Sequence, residues 1–306
     1  MKENRIGIAT DTTTSILPET ALRLTQETGV NIALAPSYIK IGGEFVPDNS
    51  LTRDTFYQEL TAGPLLETSH ANPQDYINTF ESLISSGAKD IISIHSNGKL
   101  TGGINSANTA STIIKDQHPA VNIHTIDTGS VSAGAGIFVL EALEMAAQGY
   151  PSSEIVNTLE AEIPNARILI AVTDAMYLIK SAKRRLGFRG LVMATGAALL
   201  NIHPIFSLED KDLVQKARVH GEKKMHPELL AQTMKEAEGR LPLKRAIVVH
   251  TNSQQEAIAL AALVNTQQEE LGVKISESNI WEAGTVLAVY AGPGVRGLAV
   301  LFGPKK

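Results

Sequence analysis

No cysteine occurs at any of the 306 positions of the sequence. This absence excludes disulfide bonds, iron–sulfur clusters, thiolate zinc sites and cysteine nucleophiles, and it fits a reducing compartment. The net charge of −5 lacks the basic excess of a general nucleic-acid binder. The first fifteen residues contain no apolar signal-peptide core, and no apolar run reaches transmembrane length. We therefore expect a cytoplasmic protein with no nucleic-acid partner and no integral membrane segment.

Hydrophobic residues (43%) and charged residues (19%) stand in the proportions of a globular protein, and the length allows two domains. Strand and helix patterns alternate from residue 5 to about residue 160, which predicts a parallel sheet covered by helices. Strand patterns dominate after residue 165, including one over Trp281–Tyr290. We predict an α/β fold: a three-layer α/β/α parallel-sheet domain over residues 1–163, then a two-layer α+β domain with a mixed sheet over 164–306.

The stretch Asp90–Ala107 combines a short apolar run, a polar loop with glycines and the start of a helical pattern. The apolar run predicts a buried strand, and the spacing that resumes at Ile104 predicts a helix. The N–H groups of a helix N-terminus bind anions, and small residues let a ligand come close. This stretch therefore predicts an anion site.

Polar loops follow three of the predicted strands, at Asp11–Ser15, Ser96–Gly103 and Asp127–Ser130. In parallel α/β sheets, ligands bind outside the carboxyl ends of the strands. Asp11 and Asp127, at the starts of two of these loops, could each act as a base or orient the loop. Orienting the loop is the commoner role for an Asp before a turn.

Several known functional motifs are incomplete or absent in this sequence. Gly292–Gly297 spells G-x-G-x-x-G, but no helix pattern follows it, so a tight glycine turn is favoured over a dinucleotide site. Gly98-Lys99 lacks the remaining positions of a P-loop. The eight histidines show no H-E-x-x-H spacing, and no G-x-S-x-G occurs, so neither a metal site nor a nucleophile elbow is predicted.

Basic residues cluster between Lys180 and Arg189 and again between Lys216 and Lys224. Such a cluster is typical either of a docking face for an acidic partner or phosphate, or of a solvated surface.

Taken in order, the motifs resemble those of the DegV family, bacterial proteins that bind long-chain fatty acids. The family's T-D-S-T-S-D-L-P, T-S-Q-P, S-I-H-x-S-S-x-L-S-G-T and D-S-x-x-x-S-x-G-x-G are similar to Thr10–Pro18, Thr68–Pro73, Ser93–Gly103 and Asp127–Gly136. Its l-x-I-K-P-I, K-x-R and H-x-G-P-G segments are similar to Leu200–Ile205, Lys216–Arg218 and Tyr290–Gly294.

The resemblance implies a non-enzymatic carrier of two domains that holds a fatty acid between them in an apolar tunnel, with no other cofactor. The carboxylate would be gripped by Thr68 and Thr101, with Asn97, Gly98, Gly102 and Tyr290 around it. It also implies a separate fatty acid kinase that phosphorylates the carboxylate to an acyl phosphate. The face for this kinase would include the basic residues Lys183, Arg184 and Arg218.

The sequence departs from the family around this site. Asn97 and Gly98 replace two serines, Gly103 replaces a threonine, and Tyr290 stands where the family has a histidine. Two other interpretations stay open. One is a phosphoryl- or sugar-binding enzyme subunit with the architecture of dihydroxyacetone kinases, and the other is a regulatory module that uses the basic cluster.

Overall fold

A computed structural model describes residues 5–63, 66–179, 201–209 and 211–303. The chain divides into two compact units. Unit 1 consists of Met1–Leu51 and Thr68–Pro164, and unit 2 consists of Thr52–Glu67 and Asn165–Lys306. The chain therefore passes between the units three times. The sequence-based domain bounds, 1–163 and 164–306, stay a prediction.

The elements of the first half of the chain alternate between strands and helices. They are β1 (Ile6–Asp11), α1 (Pro18–Thr28), β2 (Ile32–Ala35), β3 (Tyr38–Ile41), β4 (Glu44–Pro47), α2 (Arg53–Ala62), β5 (Glu67–Ser69), α3 (Pro73–Ser85), β6 (Asp90–His95), α4 (Gly103–Gln117), β7 (Asn122–Asp127), α5 (Ala133–Ala147) and α6 (Ser152–Glu162).

A parallel sheet with the strand order β2-β1-β6-β7 forms the centre of unit 1. Its strands carry the apolar runs that the sequence predicts, because strands covered on both faces must be apolar throughout. Helices α3 and α4 pack on the sheet through a core that includes Tyr76, Phe80 and Ile114, and α1, α5 and α6 form a second helical group against it. The predicted α/β/α layering is confirmed. The strands β4, β3 and β5, in that order, form a separate small sheet.

The second half of the chain is richer in strands. Its elements are β8 (Ala166–Ala171), β9 (Ile202–Glu209), β10 (Asp212–His220), α7 (Met225–Glu236), β11 (Arg245–His250), α8 (Gln254–Asn265), α9 (Gln268–Leu271), β12 (Ile280–Glu282), α10 (Thr285–Ala291) and β13 (Arg296–Leu301).

Unit 2 is built on a mixed sheet with the order β10-β9-β8-β13-β11-β12, in which only the β11–β12 pair of the described strands is parallel. Helices α7 and α8 pack on it through Leu229 and Leu260, which join a core with Leu169, Val248 and Leu298. The predicted mixed sheet is confirmed. No helix within the described part of the chain combines the length and the apolar character that crossing a bilayer requires.

Helix α2 belongs to unit 2 although it lies early in the chain. Thr52 caps it by accepting a hydrogen bond from the Thr55 N–H at 3.2 Å. The Tyr57 hydroxyl donates to Glu282 Oε1 at 2.8 Å, and Arg53 pairs with Oε2 of the same carboxylate at 2.8 Å. Burial, followed by the charge and hydrogen bond of Glu282, raises the pKa of Tyr57, so its hydroxyl stays a donor.

One predicted strand is wrong. Trp281–Tyr290 divides into the short strand β12 and the helix α10, which starts after Gly284. The run Thr285–Ala291 is apolar, and a short apolar run fits a buried strand and a buried helix equally well. Burial of Ala288, Val289 and Ala291 on one side of α10 favours the helix here.

Candidate functional site

The three polar loops at the carboxyl ends of β1, β6 and β7 contact one another. The Thr13 and Ser96 hydroxyl oxygens are 2.8 Å apart. The Asn97 N–H donates to the Ser130 carbonyl at 2.7 Å, and the Ser132 N–H donates to the Thr13 carbonyl at 3.0 Å. The three loops therefore share one edge of the unit 1 sheet, the edge at which parallel α/β sheets bind ligands.

Asn97 organises the loop after β6. Its carbonyl accepts hydrogen bonds from the N–H groups of Leu100 at 2.9 Å and Thr101 at 3.0 Å. Its side-chain Oδ1 accepts from the Lys99 N–H at 2.9 Å. The residue is fully buried. These contacts fold the loop into a turn that leads directly into α4.

Gly98 packs against the aspartate at the end of β7. The Asp127 carboxylate accepts hydrogen bonds from the N–H groups of Gly98 at 3.2 Å and Gly129 at 2.9 Å. A Cβ atom on Gly98 would lie 3.2 Å from Asp127 Oδ2 and 3.1 Å from Ile104 Cγ2. Asp127 thus orients two loops, which is the commoner of the two roles considered for it.

Thr101 lies immediately before the first turn of α4, whose N-cap is Gly102. The N–H groups of a first helical turn have no partner inside the helix, and the helix dipole places partial positive charge there. The half-buried Thr101 hydroxyl is therefore next to a backbone environment that favours an anion.

The end of β5 reaches the same loop. Thr68 is a half-buried residue of β5, and His70 follows it by two positions. The imidazole of His70 covers Gly102, since Nε2 lies 2.5 Å from the place that a Cβ atom on Gly102 would take. The structure therefore brings the segments that carry Thr68 and Thr101 side by side.

A buried carboxylate lies behind Thr101. Asp11 accepts hydrogen bonds from the Thr13 N–H at 2.9 Å, from the Thr13 hydroxyl and from the Tyr76 hydroxyl at 2.7 Å. His95 Nδ1 lies 3.7 Å from Asp11 Oδ2 and 3.3 Å from the Tyr76 hydroxyl. Its Nε2 lies 2.8 Å from the Ser93 hydroxyl.

Burial alone would raise the pKa of Asp11, but the neighbouring His95 imidazole, with hydrogen bonds from the Thr13 and Tyr76 hydroxyls, holds it below its ordinary value. Burial and the neighbouring Asp11 charge raise the pKa of Tyr76. The cluster therefore holds an ionised carboxylate and a protonated phenol. Asp11 orients the loop after β1, as its position before a turn indicates.

The sequence interpretation did not assign Tyr76, His95 or His70 to the site. Gly103 places Tyr76 and Asp11 next to Thr101, because a Cβ atom on Gly103 would lie 3.0 Å from Asp11 Oδ2, 3.0 Å from the Tyr76 hydroxyl and 3.7 Å from Thr101 Oγ1. Two signals were available in the sequence: Tyr76 places a polar hydroxyl on the apolar face of α3, and His95 matches the histidine of the family's S-I-H motif.

Two of the other predicted site residues belong to unit 2. Tyr290 is half-buried on α10 of unit 2, and Arg218 is exposed on β10. Lys183 and Arg184 lie outside the described residues. Within the described ranges, no group of three or more His, Asp or Glu side chains is arranged to hold a metal ion.

Fold and site together define a two-unit α/β protein with a polar loop before a helix N-terminus at the carboxyl edge of a parallel sheet. A family model described as "uncharacterised protein, DegV family" matches residues 5–303. The chain belongs to the DegV family.

Curated and solved relatives cover nearly the whole chain. A DegV domain-containing protein from Deinococcus radiodurans is 27% identical over 304 residues, with 96% of this chain and 98% of that protein covered. The structure of a fatty-acid-binding DegV family protein from Thermus thermophilus is 26% identical, with a TM-score of 0.78 and coverage of 97% and 99%. The Streptococcus pneumoniae fatty acid kinase (Fak) B3 protein, loaded with linoleic acid, shares the fold at 22% identity and a TM-score of 0.80, with coverage of 97% and 99%.

Proposed function

We propose that this protein binds a long-chain fatty acid and holds its carboxylate with the hydroxyls of Thr68 and Thr101. The observation that carries the proposal is the match, over 97% of this chain, to the fatty-acid-binding protein of Thermus thermophilus. The position of Thr101 before α4 supports it, because hydroxyl and backbone N–H donors together suit a carboxylate.

Burial of the acyl chain supplies most of the binding free energy in this proposal. At about 0.8 kcal/mol for each CH₂ group removed from water, roughly fifteen methylenes contribute about 12 kcal/mol. The loss of translational, rotational and chain freedom offsets a large part of this gain. The head group then serves mainly to orient the ligand, with Asn97, Gly98, Gly102 and Tyr290 proposed as its neighbours.

Denaturing mass spectrometry of the purified protein tests the proposal. A long-chain fatty acid should be released, and the delipidated protein should gain thermal stability when the acid is returned. A protein that is empty after purification and that no chain length stabilises would contradict the proposal. Stabilisation by a phosphate or a ketose, without any effect of lipids, would favour the phosphoryl- or sugar-binding alternative.

We expect Thr101→Val to weaken fatty-acid binding by about 1–3 kcal/mol, because one hydroxyl partner of a charged group is lost. Isothermal titration with the delipidated protein measures the change. Thr109→Val is the matched control, since Thr109 is exposed on the same helix and its hydroxyl donates only within the helix, to the Asn105 carbonyl at 3.0 Å. Equal affinity of Thr101→Val and the wild type would make Thr101 a structural residue of the loop.

The proposal includes presentation of the fatty acid to a separate kinase that forms the acyl phosphate. The basic residues Lys183, Arg184 and Arg218 are the proposed docking face. Charge reversal at Arg184 and Arg218 should abolish acyl phosphate formation in the presence of a fatty acid kinase and leave fatty-acid affinity unchanged. Undiminished product formation by the double variant would exclude this face.

A further inference from the structure

The imidazole of His70 occupies a defined place in the site. Nε2 lies 2.5 Å, and Cδ2 3.0 Å, from the position that a Cβ atom on Gly102 would take. Cε1 lies at nearly the same distance from this position as Nε2, so the face of the ring, near its Cε1–Nε2 bond, covers Gly102. Although the ring contacts this loop, His70 remains exposed as a residue.

Both segments of the proposed carboxylate site meet at this ring. His70 follows Thr68 by two positions on the segment that ends β5, and Gly102 follows Thr101 directly. Among the described residues, no hydrogen bond is formed by either ring nitrogen of His70; only its backbone carbonyl accepts one, from the Ser69 hydroxyl at 3.4 Å. An unengaged imidazole thus lies between two hydroxyl-bearing segments at a helix N-terminus.

An imidazole in this place can serve a carboxylate. Both the Nε2–H tautomer and the protonated ring present an N–H donor on the Nε2 side. A hydrogen bond from such a donor to an ionised oxygen is stronger than one to a neutral group. A lipid of the same chain length with a neutral head group gains less binding free energy from the same donor.

We propose that His70 is a third polar contact of the ligand's head group and gives the site its preference for an ionised carboxylate over a neutral lipid. This inference rests on the proposed fatty-acid function. Gly102 is part of the same arrangement, since it leaves the space that the imidazole occupies.

Four variants separate donation by His70 from packing. His70→Phe keeps a ring over Gly102 and removes the N–H groups, whereas His70→Gln keeps an N–H donor. Gly102→Ala adds a methyl group that would clash with the His70 ring and displace it. The backbone of Gly102, at φ −89° and ψ 1°, is compatible with alanine. His220→Phe is the control, because His220 is exposed on β10 of unit 2.

Isothermal titration of the delipidated variants should compare a long-chain fatty acid with the fatty alcohol of the same length. We expect His70→Phe and Gly102→Ala each to weaken binding of the acid about tenfold. Binding of the alcohol should not change, and the double variant should lose no more than either single one. His70→Gln should recover part of the affinity, and the control should bind as the wild type does.

The outcomes distinguish a failure of the proposed fatty-acid function from a failure of the proposed role of His70. If the wild type binds neither lipid, the fatty-acid function itself fails. If the wild type binds the acid and His70→Phe binds it equally well, only the role of His70 is overturned. An equal loss for acid and alcohol would also overturn it, since the ring would then act by packing alone. Unchanged thermal unfolding of unliganded His70→Phe excludes misfolding as the cause.

Discussion

Replacing Asp11 with alanine is expected to lower the free energy of unfolding by about 3–5 kcal/mol. The change removes the acceptor for the Thr13 N–H, the Thr13 hydroxyl and the Tyr76 hydroxyl. Asp11 is only 3% exposed, so water cannot replace it freely. Buried donors that lose their partner carry the full cost of desolvation.

Urea denaturation followed by circular dichroism measures this change. Asp11→Asn should lose less, because its amide oxygen still accepts a hydrogen bond. Asp116→Ala is the control, since Asp116 is exposed near the end of α4, and it should stay within about 0.5 kcal/mol of the wild type. A loss below about 1 kcal/mol for Asp11→Ala would show that the cluster is not held by this carboxylate.

The lowered pKa of Asp11 sets the pH dependence of this effect. A carboxyl whose pKa is lower in the folded state stabilises the protein above its ordinary pKa of about 3.9, and this contribution is lost as the pH falls through the lowered value. The difference in unfolding free energy between the wild type and Asp11→Asn should therefore be complete above about pH 5 and shrink below about pH 4. A difference that grows on acidification would contradict the assignment.

Gly103→Ala is expected to lower the free energy of unfolding by about 1–3 kcal/mol. The added Cβ atom would lie 3.0 Å from both Asp11 Oδ2 and the Tyr76 hydroxyl, closer than such contacts normally come. Because both groups are held by hydrogen bonds to each other, neither can move away freely. The same movement would shift Thr101, so the affinity for the fatty acid should fall as well.

A second substitution tests whether the clash with the Tyr76 hydroxyl causes this loss of stability. Tyr76→Phe removes the hydroxyl against which the new methyl group packs, so the double variant Gly103→Ala with Tyr76→Phe should be more stable than the sum of the two single losses predicts. Gly63→Ala is the control, because a Cβ atom there meets no atom of the described residues within 4 Å. Strict additivity would mean that residues 76 and 103 do not compete for space.

Local sequence patterns predicted much of unit 1 because its elements are long and periodic. The strand, loop and helix over Asp90–Ala107 and the contact among three strand-end loops follow from strand alternation and sheet order. The Asp11 cluster was beyond these patterns, since it joins β1, α3 and β6, and no local period relates Tyr76 to His95. The helix α10 was missed because packing, rather than periodicity, decides the state of a short apolar run.

Membership of α2 in unit 2 was equally invisible in the sequence. The hydrogen bond between Tyr57 and Glu282 joins residues 225 positions apart. Nothing in Thr52–Glu67 distinguishes it from the helices of unit 1 that precede and follow it. The proposed head-group position of Thr101, in contrast, is already indicated by the sequence, because Thr101 lies where a strand–loop–helix pattern favours an anion.

The passage of the chain through Thr52–Glu67 makes unit 2 a discontinuous domain. A gene fragment that encodes only residues 165–306 omits Arg53 and Tyr57, and the carboxylate of Glu282 would then face solvent without either partner. Such a fragment should be prone to aggregation, whereas one extended by a linked copy of residues 52–67 should be soluble. A chimaera joined at residue 165 would therefore leave the α2 segment of this unit behind with unit 1.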